Sequence, residues 1–337
     1  MIAGISYSIE CLDLKKPFVT ALRSTSVVEF VRVKVTLDDA RSAYGEASAT
    51  KAITGEDLQT ISRDIDLIKG DLIGKSVDVA LEILHKSTIG SSSKASLDIA
   101  LFSLKVGSLK SYFNPTKPIK SDITISLGEQ MLEDAKEYFY AGFDTLKLKV
   151  GKDIDHAITT THAIAEALSE AKLIIDANQA WSLGDALRFV EAMKNTQILL
   201  LEQPVPKDAL DDLRSLTKVS QIPILADEAV FSLDDAKRVI EGGYADMFNI
   251  KLMKCAGITK AIEMLEYAKE AGVKCMLGSM LEGSISIDAA LFLASKYSDV
   301  IVANDLDSPL LYKEIPEIMA FELDQNSQHF VIKKVVL

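Results

Sequence analysis

Eight short apolar runs, spaced about 22–28 residues apart and mostly followed by an amphipathic helical stretch, restrict what this chain of 337 residues can fold into. The runs are Ile123–Leu127, Thr145–Lys149, Leu173–Asp176, Ile198–Glu202, Ile222–Asp227, Met247–Lys251, Val273–Leu277 and Val300–Asn304. Between them the spacing of apolar residues predicts helices over Glu129–Tyr140, Ile154–Leu168, Asp185–Lys194, Leu233–Glu241 and Lys260–Ala271. Eight parallel strands with intervening helices close into a barrel, and the functional groups of such a barrel gather at the C-terminal strand ends.

Residues 1–120 carry a different pattern. Val27 to Val35 alternates as a half-buried antiparallel strand does, and Asp57–Ile68 and Ser93–Leu104 have helical spacing, so this part is expected to form an α+β domain. Asn114-Pro115-Thr116-Lys117-Pro118 marks the boundary, which puts the barrel at residues 121–316. The tail, residues 317–337, turns strand-like again from His329 to Val336, too late for a ninth barrel strand, and is expected to return to the first domain.

Composition excludes several functions. A net charge of −12 argues against nucleic acid and anionic membrane surfaces as partners. There is no run of about 18 apolar residues, and Met1-Ile2-Ala3-Gly4-Ile5 has no signal-peptide pattern, so a cytoplasmic location is expected. Cys11, Cys255 and Cys275 are widely spaced and suggest neither a disulfide framework nor a zinc site. The four histidines show no ligand spacing.

Lys147 and Lys149 sit two apart in Thr145-Leu146-Lys147-Leu148-Lys149, so strand alternation sends both ammonium groups to one side and the leucines to the other. Two like charges on the interior side of a strand require acidic compensation. Asp176, Glu202 and Asp227, each closing an apolar run on one of the next three strands, supply it. Three hard carboxylates converging at a barrel mouth favour Mg²⁺, with Mn²⁺ as the other candidate, over zinc. Lys251 ends the following strand, so Lys149 and Lys251 flank the three carboxylate strands and should face each other across the cavity. Neighbouring positive charge would lower a lysine pKa from its ordinary ~10.4 toward a value useful for a base. Two bases on opposite faces of one carbon can invert it, provided the enolate charge that develops is stabilised by the metal. Racemisation, epimerisation or proton abstraction with elimination follows from that arrangement.

Lys147-Leu148-Lys149, Asp176-Ala177-Asn178-Gln179, Glu202-Gln203-Pro204, Ala226-Asp227-Glu228 and Asn249-Ile250-Lys251-Leu252 together resemble the enolase superfamily, muconate lactonizing enzyme subgroup. The resemblance spans nearly the whole chain. It implies a (β/α)7β modified TIM barrel closed by an α+β capping domain to which the tail returns. It further implies Lys149 and Lys251 as the acid/base pair, Asp176, Glu202 and Asp227 as Mg²⁺ ligands, and Asn178, Gln203 and Glu228 as residues that orient those ligands. Lys147 is expected beside the substrate.

Asp305 and Asp307, after the eighth run, lie on one side of an extended segment and would bind an ammonium group well. This Asp-x-Asp resembles the place where dipeptide epimerases of the subgroup hold the α-ammonium of a dipeptide. Arg23 resembles the arginine that pairs with the glutamyl carboxylate in epimerases acting on Ala-Glu. Thr54, with Ile53, Gly55 and Glu56, resembles the second capping loop, and Gly278-Ser279-Met280 is expected to meet the peptide bond. The resemblance therefore implies a Mg²⁺-dependent epimerase inverting the C-terminal residue of a dipeptide, Ala-Glu foremost, with a role in recycling murein peptides. An N-acylamino acid racemase or o-succinylbenzoate synthase is the enzymatic alternative, and a barrel kept only for binding is the other. The sequence leaves a homo-oligomer open.

Overall fold

The structure, a computed structural model, describes residues 1–21, 24–314, 319–324 and 326–333. Val31, Val33 and Val35 are each fully buried, and the polar residues between them face outward, which makes Ser24–Leu37 the middle strand of a three-stranded sheet. Ile2–Val19 and Ser42–Ser48 pair with it antiparallel on either side. The buried face packs on three helices, Leu58–Leu72, Val77–Lys86 and Ser91–Val106, through Ile61, Ile65, Leu81, Leu97 and Leu101. Asp57 and Ser76 start the first two by accepting the N–H of Thr60 and Val79. Gly45 lets the third strand lie directly on the third helix, because a Cβ there would fall 1.8 Å from the Ser96 carbonyl oxygen.

The second unit is a sheet of eight parallel strands in sequential order: Ile123–Ile125, Thr145–Lys149, Lys172–Asp176, Ile198–Glu202, Ile224–Ala226, Met247–Lys251, Cys275–Gly278 and Ile301–Asp305. Helices of nine residues or more follow the first seven, and only the four-residue turn of helix Ser308–Leu311 follows the eighth, giving the (β/α)7β order. The first and eighth strands meet where the Asp122 N–H donates to the Asn304 carbonyl at 2.8 Å and the Leu306 N–H to Ser121 Oγ at 2.9 Å. Three strands are shorter than apolar patterning suggests, and the first of them ends at Ile125 instead of Leu127. Val273 is taken by the end of the preceding helix, its N–H donating to the Ala268 carbonyl, so the seventh strand begins at Cys275. Asp227 lies one residue past the fifth strand.

Alternation along the strands sorts two cores. Leu146, Leu148, Leu173, Ile175 and Leu201 face outward to the helices, whereas Ile174, Leu200, Leu225, Met247, Met276 and Ala303 fill the barrel interior. Two residues beyond that interior layer, on the same side of each strand, stand Asp176, Glu202, Asp227, Asn249, Gly278 and Asp305.

In the tail, Phe321–Asp324 pairs with His329–Ile332, which in turn pairs with Ile119–Lys120 just before the first barrel strand and forms a sheet separate from the three-stranded one. Residues 334–336, the end of the expected tail strand, lie outside the described residues. No described helix is long and apolar enough to cross a membrane.

Candidate active site

Strand register brings the predicted groups to one level. Lys149 pairs in register with Asp176 and Asp176 with Glu202, while Lys251 pairs with Gly278 and Gly278 with Asp305. Gly278 keeps the mouth open, since a Cβ there would meet the Asn249 side chain at 2.8 Å and Lys251 Cε at 3.0 Å.

The buried charges are tightly knit. Lys149 Nζ donates to Asp176 Oδ2 at 2.6 Å, and Lys251 Nζ to Asp227 Oδ2 at 2.7 Å. Lys147, fully buried, reaches Asp176 at 3.2 Å, Glu202 at 2.7 Å and Asp305 at 2.6 Å. It therefore lies beneath the cavity, linking the predicted metal ligands to the Asp-x-Asp segment. Both lysines expected to carry protons line the cavity, with Asp227, Asn178, Glu228, Thr124, Ser279, Met280, Leu281, Asp305, Asp307 and Ser308 from the barrel. Phe18, Thr20, Ala52 and Ile53 close it from the capping domain.

Of the residues expected to orient the carboxylates, Asn178 bonds to one directly, Gln203 holds the backbone that carries Asp227, and Glu228 bonds to Asn178. Gln203 Oε1 accepts the N–H groups of Asp227 and Ala229 at 3.0 and 3.1 Å, while its Nε2 donates to the Val205 carbonyl. Asn178 donates its backbone N–H to Asp176 Oδ1 at 2.9 Å and its side-chain amide to Glu228 at 3.3 Å. Asn178, Gln179 and Gln203 all hold positive φ, at 45°, 66° and 34°, a left-handed backbone that non-glycine residues adopt at a cost of roughly 1–3 kcal/mol each. The cost falls where the chain turns sharply from strand end into the site.

Three participants escaped sequence reasoning. Lys254 Nζ donates to Asp227 Oδ1 at 2.6 Å and to the Asn249 carbonyl at 3.1 Å, and the Asn249 side chain donates to Glu202 at 2.9 Å. Asn249 sits two before Lys251 and shares its inward side, a signal that was available. Lys254, between Met253 and Cys255, was marked only by its apolar neighbours. Asp122, just before the first strand, is the third, and one of its carboxyl oxygens lies within 4.8 Å of one from each of Asp305 and Asp307. Other expectations fall further out. Thr54 faces the Ser92 hydroxyl at 3.3 Å, away from the cavity, and Arg23 lies outside the described residues.

Charge balance tests whether a divalent cation fits. Seven buried carboxyl groups, Asp122, Asp176, Glu202, Asp227, Glu228, Asp305 and Asp307, share four buried ammonium groups, Lys147, Lys149, Lys251 and Lys254. Burial by itself favours the neutral form of a carboxyl. The Lys149 and Lys147 charges hold Asp176 at about 2, and Lys251 and Lys254 hold Asp227 far below the ordinary range. For Glu202 and Glu228 burial wins, helped by nearby Asp176 and Asp227, and they rise to about 7 and about 8. Burial lowers Lys251, but the Asp227 carboxylate outweighs it and holds the group above the usual lysine range. The cluster is short of positive charge, and its donors are hard oxygens. Glu228 Oε2 and the side-chain oxygens of Asn178 and Asn249 have no hydrogen-bond donor among the described residues. A divalent cation on Asp176, Glu202 and Asp227 fits this deficit.

Residues 130–328 match the family model "Enolase C-terminal domain-like". The chain belongs to this family, and its relatives place it among the isomerases. An L-amino acid-D/L-Glu epimerase of Sulfurimonas denitrificans is 54% identical, covering 96% of this chain and 97% of that one. Among solved structures, a substrate-liganded complex of the L-Ala-D/L-Glu epimerase from Bacillus subtilis superposes with a TM-score of 0.92 at 34% identity, covering 98% of this chain and 96% of that chain. A dipeptide epimerase from Enterococcus faecalis complexed with Mg and L-Leu-L-Tyr gives 0.90 at 30% identity, covering 99% and 97%.

Proposed function

We propose that this protein is a Mg²⁺-dependent dipeptide epimerase that inverts the α-carbon of the C-terminal residue, with Ala-Glu as the principal substrate. The observation that carries the reading is the placement of Lys149 and Lys251 on one cavity, from strands on either side of the three carboxylate strands. One lysine, as the neutral amine, takes the α-proton, and the other, as the ammonium, delivers a proton to the opposite face. A cation held by Asp176, Glu202 and Asp227 would supply Lewis acidity toward a substrate carboxylate. Mn²⁺ satisfies the same oxygen donors.

Asp305 and Asp307, on the same cavity, supply two carboxyl groups for the α-ammonium, and Ser279 and Met280 stand beside them for the peptide unit. An N-acylated amino acid has no charge to offer that pair, which favours a dipeptide over the racemase alternative. Arg23 would meet the glutamyl carboxylate. In this reading residues 1–120 cap the barrel of residues 121–316, and the enzyme recycles murein peptides in the cytoplasm.

A dipeptide library incubated in D₂O with Mg²⁺, read by mass for deuterium at the α-carbon, tests the assignment. Exchange should be confined to the C-terminal residue and be fastest for Ala-Glu. Exchange only in N-acylated amino acids would overturn it.

A further inference from the structure

Asp122 immediately precedes the first barrel strand, at the seam where that strand meets the eighth. Its side chain is buried, and neither carboxyl oxygen has a hydrogen-bond partner among the described residues. Asp305 and Asp307 line the cavity and Asp122 does not, yet one carboxyl oxygen from each of the three lies within 4.8 Å of the other two. Burying a carboxyl without a donor is costly unless a positive charge is near. The groups facing it are Asp305 and Asp307 from the eighth strand and the turn beyond it, Lys147 from the second and Glu202 from the fourth. Lys147 is the one cation among them, and it is already shared by Asp305, Glu202 and Asp176.

We propose that Asp122 is the rear carboxyl of the subsite that receives the substrate's α-ammonium, adding negative charge behind Asp305 and Asp307 and carrying a proton that leaves when the ammonium arrives. This rests on the reading of Asp305 and Asp307 given above. In the free subsite three carboxyls repel one another, and one proton relieves the repulsion. An arriving ammonium replaces that proton, which passes to solvent, so the charge of the subsite is conserved. Burial followed by the charges of Asp305 and Asp307 pushes Asp122 well above the carboxylate range, and burial with Asp305 lifts Asp307 to about 6. Asp122 acts through its neighbours and is a positioning residue.

Two consequences separate this role from a merely structural one. Dipeptide affinity should rise with pH as the trio loses its proton, and binding should release up to one proton. Asp122→Asn keeps the shape and removes the charge. It should raise KM for L-Ala-L-Glu about tenfold, leave kcat within about twofold, and flatten the pH dependence of KM. The inhibition constant of N-acetyl-L-Ala-L-Glu, which has no ammonium, should not change. An unchanged dipeptide KM, or equal shifts in both constants, overturns the proposal. Should the variant not fold, calorimetry of wild-type enzyme with L-Ala-L-Glu in buffers of different ionisation enthalpy decides: no proton release overturns it. If KM follows the identity of the alkali cation at constant ionic strength, an inorganic ion occupies the trio, which also overturns it. The Asp305→Asn/Asp307→Asn variant separates the levels. A normal KM there defeats the ammonium reading itself, whereas a raised KM there with a normal one in Asp122→Asn defeats only the role of Asp122.

Discussion

The barrel mouth and the capping domain enclose the same cavity by different means. The barrel contributes charged side chains from strand ends, each fixed by register and most of them bonded to another buried charge. The capping domain contributes Phe18, Thr20, Ala52 and Ile53, from the end of a long hairpin and from a four-residue helix with no buried side chain. A proton-transfer site needs groups held to a fraction of an ångström, which strands provide. Choice among substrates needs surfaces that can vary without disturbing those groups, which loops provide. The comparison predicts that strand-end substitutions act on kcat, whereas capping substitutions redistribute kcat/KM among dipeptides.

The largest effect should come from the lysines. Lys149→Ala and Lys251→Ala are each expected to cut epimerisation by about 10⁴-fold, because inversion needs both faces of the carbon. Either variant should still exchange the α-proton of a single enantiomer with D₂O through its remaining base. Steady-state polarimetry and isotope exchange read these separately, and near-normal epimerisation by either variant would break the two-base reading.

Removal of divalent ions comes next, with an expected loss of about 10³-fold that Mg²⁺ restores. The fold should survive chelation. Its core is apolar, from Ile174 to Ala303 inside the barrel and on the helix-facing side outside it, and lysines already pair with the three carboxylates. Circular dichroism alongside the activity assay tests both parts. Full turnover in excess chelator would detach Asp176, Glu202 and Asp227 from a metal role.

Arg23 carries the capping side of the comparison. Arg23→Ala should cost about 2–4 kcal/mol of preference for Ala-Glu over Ala-Met, the scale of leaving one member of a buried charge pair alone. Turnover of Ala-Met should hardly change. Ratios of kcat/KM in wild type and variant measure this directly, and an unchanged ratio would make Arg23 an ordinary surface residue.

What the sequence made legible follows the same division. Strand periodicity located all eight barrel strands, and it placed Lys149, Asp176, Glu202 and Lys251 at their ends, because an inward side chain repeats every second residue whatever its neighbours do. The starts of the fifth and seventh strands were missed, since apolar residues at a helix end look like those entering a strand, and the first strand was carried two residues too far, to Leu127. Asn249 and Lys254 were missed for another reason: their importance lies in partners, Glu202 and Asp227, that only the closed barrel brings near. Asp122 depends on the seam between the first and last strands, which no local pattern records. Thr54 shows the reverse error, a residue placed near the cavity by its loop yet bonded away from it.

The smallest expected effect lies at the junction of the two regions, where the tail sheet joins Ile119–Lys120. Asp288, on the helix Ser284–Lys296, accepts the N–H groups of Ala320 and Phe321 and so anchors the tail to the barrel. Burial raises its carboxyl to about 7 despite those two donors. A folded-state value above the unfolded one near 3.8 means that the protonated form is the one folding favours. Its contribution is therefore fully present below about pH 4 and is lost as pH rises through about 7. Asp288→Asn cannot ionise and should be free of that loss. The two proteins should melt together at about pH 4, and the gap should open as pH rises until the variant melts a few degrees higher at about pH 8, on the order of 2–5 °C. Because other buried carboxyls titrate in both proteins, the difference between the two melting curves is the quantity to follow. A gap that stays constant across that range would show that Asp288 ionises as freely in the fold as out of it.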